Sequence, residues 1–211
     1  MRDGPLLKGA DLAAHTGLPF AELDPVARLL ADLPAPWLVA GGWAVDLFVG
    51  RRTRDHEDVD VAVLRRDLPI LRAHLSGWDV RTARPGLRGA LDPWPESAPI
   101  PPDAHEVHAR RPEGPASEVE FLVEESREDA WSYRRRPSVT RPLRDLGLRS
   151  PGGVPFLAPE VVLLYKATRS EEARHAADFA ALRPRLPAPR RAWLAAALAA
   201  AHPGCPWIAA P

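Results

Sequence analysis

Two aspartates, Asp58 and Asp60, lie one residue apart in a run of valines, within the segment GGWAVDLFVGRRTRDHEDVDVAV at positions 41–63. The alternation predicts a strand, in which residues two apart point to the same face at about 6.6 Å between Cα atoms. Two adjacent ionised carboxylates repel each other, which calls for a cation, and Mg²⁺ commonly binds one or two carboxylates together with substrate phosphates. The pair therefore indicates a metal site for phosphate chemistry; an edge strand with a solvated acidic face is the alternative interpretation.

A glycine pair, Gly41-Gly42, precedes Trp43–Val49, whose pattern predicts a helix that Gly50 ends. A glycine turn at a helix N-terminus presents backbone N–H groups that can bind a phosphate, whereas a tight turn without a ligand would use the same residues. The turn and the carboxylate pair together indicate a site for a nucleoside triphosphate. The chain lacks the sequence motifs of P-loop, dinucleotide-binding and nucleophile-elbow enzymes, so those classes have no support.

Local patterns predict the elements that must position these residues. Apolar residues at helical spacing predict helices at about 24–33, 43–49, 65–75, 159–168, 170–182 and 189–201, with a short one around 6–15. Apolar runs and alternation predict strands at about 37–40, 58–63, 78–82, 104–109 and 118–123. The proline-rich stretch 84–102 and the arginine-rich stretch 131–143 are predicted to be loops, although the aromatic and arginine residues of the second could stack on a base. We expect a mixed α/β domain over 1–150 and a helical region packed on it over 151–211.

The composition excludes several classes of protein. The chain of 211 residues has a formal net charge of zero, which argues against a general charge-driven nucleic-acid or membrane binder. No apolar stretch approaches the length of a membrane span, about 18 residues, and the first residues lack the apolar core of a signal peptide. Cys205 is the only cysteine, which excludes an internal disulfide and a cysteine-based zinc site. We expect a cytoplasmic protein.

The segment 41–63 resembles the signature of the nucleotidyltransferase (polymerase-β-like) superfamily. Within that superfamily it is similar to the aminoglycoside 2″-adenylyltransferase and lincosamide nucleotidyltransferase group, which has the pattern GGWA-(D)-G-R-x-T-R-x-H-x-D-(I/V)-D. A second block, FLAPEVVLLYKA at 156–167, resembles the same wider group. The resemblance implies an α/β (α+β) nucleotidyltransferase fold, with a small mixed sheet flanked by helices and a helical C-terminal part.

The resemblance also implies roles for particular residues. Asp58 and Asp60 would bind Mg²⁺ and the triphosphate, and a third carboxylate is expected on a neighbouring strand. Glu120 in SEVEFLV is the candidate, as a metal ligand or general base, Glu118 on the same face is the alternative, and a surface glutamate is the plain interpretation of either. The residues that would bind the nucleotide are Gly41, Gly42, Arg54, His56 and Lys166.

Four polar residues outside the carboxylate cluster have plain structural interpretations. Arg54 and His56 match the family pattern, which favours a role in ordering the site over that of a solvated basic loop. Lys166 is one of only two lysines beside 26 arginines, which favours a point-charge role at the triphosphate over that of an exposed helix residue. Asp178, four residues after Arg174, is predicted to form a structural ion pair within its helix.

The implied reaction transfers a nucleoside monophosphate, AMP from ATP in the first instance or another nucleoside triphosphate, to a hydroxyl of a small molecule, with Mg²⁺ as the cofactor. An aminoglycoside or lincosamide-like antibiotic is the first candidate acceptor. A toxin-like nucleotidyltransferase acting on tRNA or protein is one alternative, which the neutral charge disfavours. A non-catalytic nucleotide-binding relative is another, which the intact Asp58 and Asp60 disfavour.

Overall fold

The computed structural model describes residues 20–84, 86, 89–114 and 116–209. The helix predicted around residues 6–15 lies outside the described residues. Ten strands occur in the described part of the chain: β1 (Trp37–Val39), β2 (Asp60–Leu64), β3 (Asp79–Ala83), β4 (Leu91–Pro93), β5 (Glu106–Arg110), β6 (Glu118–Arg127), β7 (Ala130–Tyr133), β8 (Arg136–Pro142), β9 (Gly147–Arg149) and β10 (Pro155–Leu157). The α-helices described with them are α1 (Asp24–Leu29), α2 (Gly41–Val49), α3 (Leu68–His74), α4 (Pro159–Lys166), α5 (Ala173–Leu182) and α6 (Ala188–Ala201).

One sheet passes through eight strands in the order β4-β3-β5-β6-β2-β1-β10-β9, and the hairpin β7–β8 continues from the last residues of β6. Strand β2 is antiparallel to β1 and parallel to β6, so the sheet is mixed, as expected. The register places Asp60 of β2 opposite Glu120 of β6, and Glu120 opposite His108 of β5. Three side chains with metal-binding or acid–base chemistry therefore lie in one row across neighbouring strands.

The alternation predicted for β6 is present in the structure. Val119, Phe121 and Val123 are buried in the core, whereas Glu118 and Glu120 point to the other face. Helix α2 packs on β2 and β10 and contacts α4 and α5, while α4 packs on α6. This packing brings the C-terminal helices next to α2, whose first residues lie against the start of β2.

Strand β2 begins at Asp60, so the prediction that Asp58 also lies in this strand is wrong. Asp58 lies in the bend that precedes the strand. The indole Nε1 of Trp43 donates a hydrogen bond to the Asp58 carbonyl oxygen at 3.0 Å, which satisfies that carbonyl outside the sheet.

Several strands lie where the sequence predicted other structure. The predicted loop at 131–143 is largely the hairpin β7–β8, because Trp131 and Tyr133 are fully buried on one side of the short strand β7. Strand β10 lies in the region predicted to be helical, and its Phe156 pairs in parallel with Val39 of β1. Three residues are too few to show a period. The sheet thus includes residues on both sides of position 150, and the division of the chain there stays a prediction.

Helix ends differ from the predicted ends by a few residues. Helix α1 ends at Leu29 rather than near residue 33, a 3₁₀ turn over Arg65–Asp67 precedes α3, and α5 begins only at Ala173. The stretch 84–102, predicted to be a loop, includes the short strand β4. In the part of the chain that the structure describes, none of the helices combines the length and the apolar character needed to cross a bilayer.

Candidate active site

Three carboxylates converge where β2 begins beside β6. One oxygen from each of Asp58, Asp60 and Glu120 lies within 4.8 Å of the other two. Asp58 is exposed, whereas Asp60 and Glu120 are half-buried. Hard oxygen ligands at this spacing fit a divalent cation such as Mg²⁺, which keeps further coordination positions for substrate phosphates. The donor set therefore suits the metal that the resemblance implies.

The electrostatics of the cluster favour a bound cation. Burial, and after it the charge of Asp58, raises the pKa of Asp60 to about 6, although Lys166 and Arg54 oppose the shift. Burial, and after it the charge of Asp60, raises the pKa of Glu120 to about 8. Without a compensating cation the cluster retains a proton near neutral pH, and a divalent ion would compete with that proton.

The two glycines allow polar side chains of the site to approach the backbone. Gly41 is the first residue of α2 and has a φ of +57°, and a Cβ atom there would overlap the Asp60 carboxylate. A Cβ atom on Gly42 would overlap the Arg54 guanidinium and the His56 ring. The glycine pair thus holds Asp60, Arg54 and His56 close to the helix N-terminus, in addition to any phosphate contact that its N–H groups make.

A buried aspartate on α2 fixes the position of His56. The His56 ring donates from Nε2 to Asp46 Oδ2 at 2.7 Å, and the Thr53 N–H donates to Asp46 Oδ1 at 3.0 Å. Asp46 is fully buried, and the Trp43 ring lies 4.4 Å from the His56 ring between centroids. Asp46 was not among the residues predicted from the sequence, although an acid amid the apolar residues of a buried helix is a usable signal.

Another buried aspartate joins two cations of the site. Lys166 Nζ lies 2.8 Å from Asp178 Oδ2, and Arg54 Nε lies 3.6 Å from Asp178 Oδ1. Asp178 therefore connects α4, α5 and the loop before β2. The predicted pair of Arg174 with Asp178 is wrong, because Arg174 Nε contacts Glu172 at 3.0 Å instead.

All eight candidate residues line one cleft of about 550 Å³: Gly41, Gly42, Arg54, His56, Asp58, Asp60, Glu120 and Lys166. Glu118 lies outside this cleft, is exposed, and forms an ion pair with Arg110. The geometry therefore favours Glu120 over Glu118 as the third carboxylate. The cations that line the cleft are Arg54, Arg134, Arg135, Lys166, Arg169 and Arg174.

The cleft and the depression beside it also contain groups that were not predicted as site residues from the sequence. Glu106 and His108 of β5 flank Glu120, and one ligand atom from each of these three lies within 4.8 Å of the others. Glu124, two positions beyond Leu122 on the same face of β6, is almost fully buried at the cleft lining. None of these residues belongs to a local motif, because they reach the site only through the pairing of β5 with β6 and of β6 with β7.

Solved structures with a fold similar to that of this chain include proteins that act on antibiotics. The antibiotic-resistance factor ANT(2'')-Ia in solution aligns with a TM-score of 0.53 and 16% identity over 84% of this chain and 89% of that chain. The crystal structure of ANT(2'')-Ia with adenylyl-2''-tobramycin aligns with a TM-score of 0.52 and 15% identity over 83% and 94%. The lincosamide antibiotic adenylyltransferase LnuA, bound to lincomycin, aligns with a TM-score of 0.52 and 14% identity over 77% and 94%. The chain has the nucleotidyltransferase fold, which confirms the predicted α+β class.

The sequence model of the aminoglycoside-2''-adenylyltransferase family matches residues 22–83, which are 62 of the 211 residues. The match confirms the resemblance that the segment 41–63 indicates. It includes the glycine pair and the two aspartates but ends before Glu120 and Lys166, whose placement rests on the structure. No curated protein sequence matches the chain.

Proposed function

We propose that the chain is a Mg²⁺-dependent nucleotidyltransferase that moves a nucleoside monophosphate, first of all AMP from ATP, to a hydroxyl of a small molecule. The observation that supports this most is the convergence of Asp58, Asp60 and Glu120 within 4.8 Å at a cleft that also contains Lys166 and Arg54. Carboxylates that can hold a divalent ion, facing cations that can hold phosphates, are the two requirements of phosphoryl transfer by positioning and charge neutralisation.

In the proposed reaction the acceptor hydroxyl oxygen forms a bond to the α-phosphorus. The bond from that phosphorus to the oxygen bridging to the β-phosphate breaks, and pyrophosphate leaves with the electron pair. Glu120 would take the hydroxyl proton or complete the metal ligands together with Asp58 and Asp60, a role that its position beside Asp60 supports. When bound, Mg²⁺ would neutralise the phosphates and polarise the α-phosphoryl group. Because the reaction consumes a nucleoside triphosphate, we place it in the cytoplasm.

An aminoglycoside is the first acceptor class to test. The family model that matches is that of aminoglycoside-2''-adenylyltransferases, and the structure of ANT(2'')-Ia holds an adenylylated tobramycin. Next to the carboxylate cluster, a depression of this chain is lined by the acidic residues Glu57, Asp58, Glu106, Glu118 and Glu120. Among the described residues of this lining Arg110 is the one arginine, and of the five acids it is paired only with Glu118. Such a surface attracts a polyol with several ammonium groups. A lincosamide is the second class, because LnuA shares the fold.

Pyrophosphate release in the presence of Mg²⁺ tests the proposal. The purified protein would be incubated with each of the four common nucleoside triphosphates and a panel of aminoglycosides, lincosamides and tRNA, and products would be identified by mass spectrometry. We expect one small-molecule acceptor to gain a nucleoside monophosphate, and no turnover without the metal. Labelling of tRNA alone would contradict the small-molecule acceptor, and absence of both turnover and Mg²⁺–nucleotide binding would favour a non-catalytic relative.

Three variants separate the role of the carboxylate cluster from the general effect of losing one carboxylate. Asp60→Asn and Glu120→Gln should each lower turnover by at least about 100-fold, the scale on which one preorganised electrostatic group contributes. Glu118→Gln changes the neighbouring carboxylate on the same strand, which is exposed and paired with Arg110. At saturating acceptor it should leave kcat within about threefold of the parent, because Glu118 does not reach the carboxylate cluster. Equal losses in Glu118→Gln and Glu120→Gln would contradict the assignment of the third carboxylate.

A further inference from the structure

The geometry points to the turn of the β7–β8 hairpin as the binding site for the β- and γ-phosphates of the nucleotide, with Arg134 as the principal contact and Arg135 as its support. This inference rests on the proposed function and adds the part of the site that holds the leaving group. Arg134 and Arg135 belong to the arginine-rich stretch 131–143. They line the same cleft as the carboxylates, together with Lys166 and Arg169.

Arg134 is a half-buried cation whose donors are available to a ligand. It lines the cleft, and its guanidinium carbon lies 5.9 Å from the centre of the Tyr165 ring. Within residues 20–84, 86, 89–114 and 116–209, the structure shows neither an ion pair nor a hydrogen bond of its side chain. Arg54, by comparison, contacts Asp178, and Arg169 pairs with Glu172. Its charge acts on the buried Glu124 without a contact, where it opposes the raised pKa of that carboxyl. A guanidinium that is partly removed from water and has no carboxylate in contact favours an anion with two acceptor oxygens, such as a phosphate.

Arg135 attaches the turn to the helical part of the chain. One of its terminal N–H groups lies within hydrogen-bond distance of the Tyr133 hydroxyl at 3.2 Å, the Tyr165 carbonyl at 3.4 Å and the Thr168 hydroxyl at 3.5 Å. Its guanidinium carbon lies 5.4 Å from the centre of the Tyr165 ring. Both arginines of the turn thus contact the same tyrosine, and Arg135 uses its donors to hold the turn against the end of α4.

The tyrosine under the two arginines is itself fixed by a buried acid. The Tyr165 hydroxyl donates to Glu124 Oε2 at 2.7 Å, and the indole Nε1 of Trp131 donates to the same oxygen at 2.6 Å. Glu124 is almost completely buried. Because Trp131 lies on β7 and Tyr165 on α4, Glu124 holds the hairpin and the helix together. These hydrogen bonds, with those of Arg135, hold the turn against α4.

The placement of charge identifies the anion. Lys166 is the last residue of α4, and Arg169 ends the 3₁₀ turn that follows it. The hairpin residues Arg134 and Arg135 line the same cleft as these two cations. The carboxylate cluster with its cation would hold the α-phosphate, where the new bond forms. The β- and γ-phosphates together carry more negative charge than the α-phosphate, so they need cations in addition to the metal ion. An arginine with no carboxylate in contact meets this need. Stabilising the departing pyrophosphate would lower the barrier to bond cleavage.

Direct binding measurements by calorimetry test the inference without turnover. The parent protein and the variants Arg134→Gln, Arg134→Lys and Arg136→Gln would be titrated with ATP, pyrophosphate and AMP at constant Mg²⁺ and ionic strength. Arg136 follows Arg135 directly, at the start of β8. It is exposed and does not line the cleft, so it is a matched control for the loss of one positive charge.

We expect Arg134→Gln to weaken ATP and pyrophosphate binding by about 10- to 100-fold, the value of a lost charge-assisted hydrogen bond, and to leave AMP binding within about threefold. Arg134→Lys should lose part of that affinity, because a lysine keeps the positive charge but cannot form the bidentate hydrogen bonds of a guanidinium. Arg136→Gln should bind all three ligands like the parent.

The outcomes separate this inference from the proposed function. If the parent binds ATP with Mg²⁺ and Arg134→Gln binds it equally well, the inference is wrong and the proposed function stands. If Arg134→Gln weakens all three ligands equally and lowers the Tm, Arg134 supports Glu124 rather than phosphate, which also contradicts the inference. If the parent binds neither ATP nor pyrophosphate, the proposed function fails and the inference with it.

Discussion

The carboxylate of Asp60 lies directly against Gly41, so that a methyl group at position 41 would overlap it. Gly41 has a φ of +57°, and Gly50 at the other end of α2 has a φ of +81° with nothing within 4 Å of the position of a Cβ atom. The same helix thus offers two glycines with left-handed backbones, of which only one contacts the site.

An alanine in a left-handed backbone conformation costs roughly 1–2 kcal/mol. We expect Gly41→Ala to lower the free energy of unfolding by more than this, and to weaken Mg²⁺-dependent nucleotide binding. The added methyl group would displace the Asp60 carboxylate from the metal ligands. Thermal unfolding and calorimetric titration with ATP and Mg²⁺ would measure the two effects.

Gly50→Ala is the matched control, since it has the backbone strain without the overlap. It should lower stability by a similar strain term and leave nucleotide binding unchanged. Equal nucleotide affinities of the two variants would show that the contact between position 41 and Asp60 has no functional consequence.

The raised pKa of Glu120 predicts that, in the absence of metal, the free energy of unfolding decreases as the pH rises. An acid with a pKa of about 8 in the folded protein and 4.5 as its ordinary value makes folding less favourable as pH rises from 4.5 to 8, because the unfolded chain releases the proton first. Glu120→Gln removes this cost. In EDTA we expect its Tm to exceed that of the parent at pH 8.5 by more than at pH 5. A difference in Tm that does not change with pH would contradict the shift.

Mg²⁺ should offset the same cost. Metal ligands must lose their protons to bind, so the rise in parent Tm on adding Mg²⁺ should grow as pH increases from 5.5 through 8, over the range set by the pKa values of Asp60 and Glu120, about 6 and 8. Differential scanning fluorimetry at fixed ionic strength would measure this increase. A stabilisation by Mg²⁺ that is equal at both ends of the range would argue that these carboxylates are not the ligands.

Asp46 should act on the reaction through His56. We expect Asp46→Asn to lower the free energy of unfolding by about 1–3 kcal/mol and to reduce kcat/KM, because the buried carboxylate accepts hydrogen bonds from both His56 and the Thr53 backbone. Thr53→Val is the control: it removes the hydroxyl contact with Asp46 Oδ1 but keeps the His56 contact. Chemical denaturation and steady-state kinetics would separate the two variants, and a loss of kcat/KM in Thr53→Val as large as in Asp46→Asn would contradict the role of His56.

The amino-acid sequence by itself determined the features that depend on residues close together in the chain. The glycine pair, the spacing of Asp58 and Asp60, and the alternation of Val119, Phe121 and Val123 are local patterns, because side-chain direction follows the period of a helix or strand. They predicted a mixed α/β domain and, together with the resemblance to the nucleotidyltransferase superfamily, the eight candidate residues that line the cleft, although the strand period placed Asp58 inside β2 instead of before it. Local patterns were insufficient for short elements such as β10, whose three residues are held by pairing with β1 rather than by a period of their own.

Tertiary structure decided which distant residues meet. Glu118 and Glu120 point to the same face of β6, and only the register that pairs Asp60 with Glu120 distinguishes them. Asp178 contacts Lys166 and Arg54 because α5 packs beside α2 and α4, a relation that no spacing within the helix contains. The hairpin arginines reach the cleft because Glu124 joins β7 to α4 through Trp131 and Tyr165. Strand register and helix packing are chosen by the burial of the whole apolar core, so the contacts that depend on them emerge only when the chain is folded.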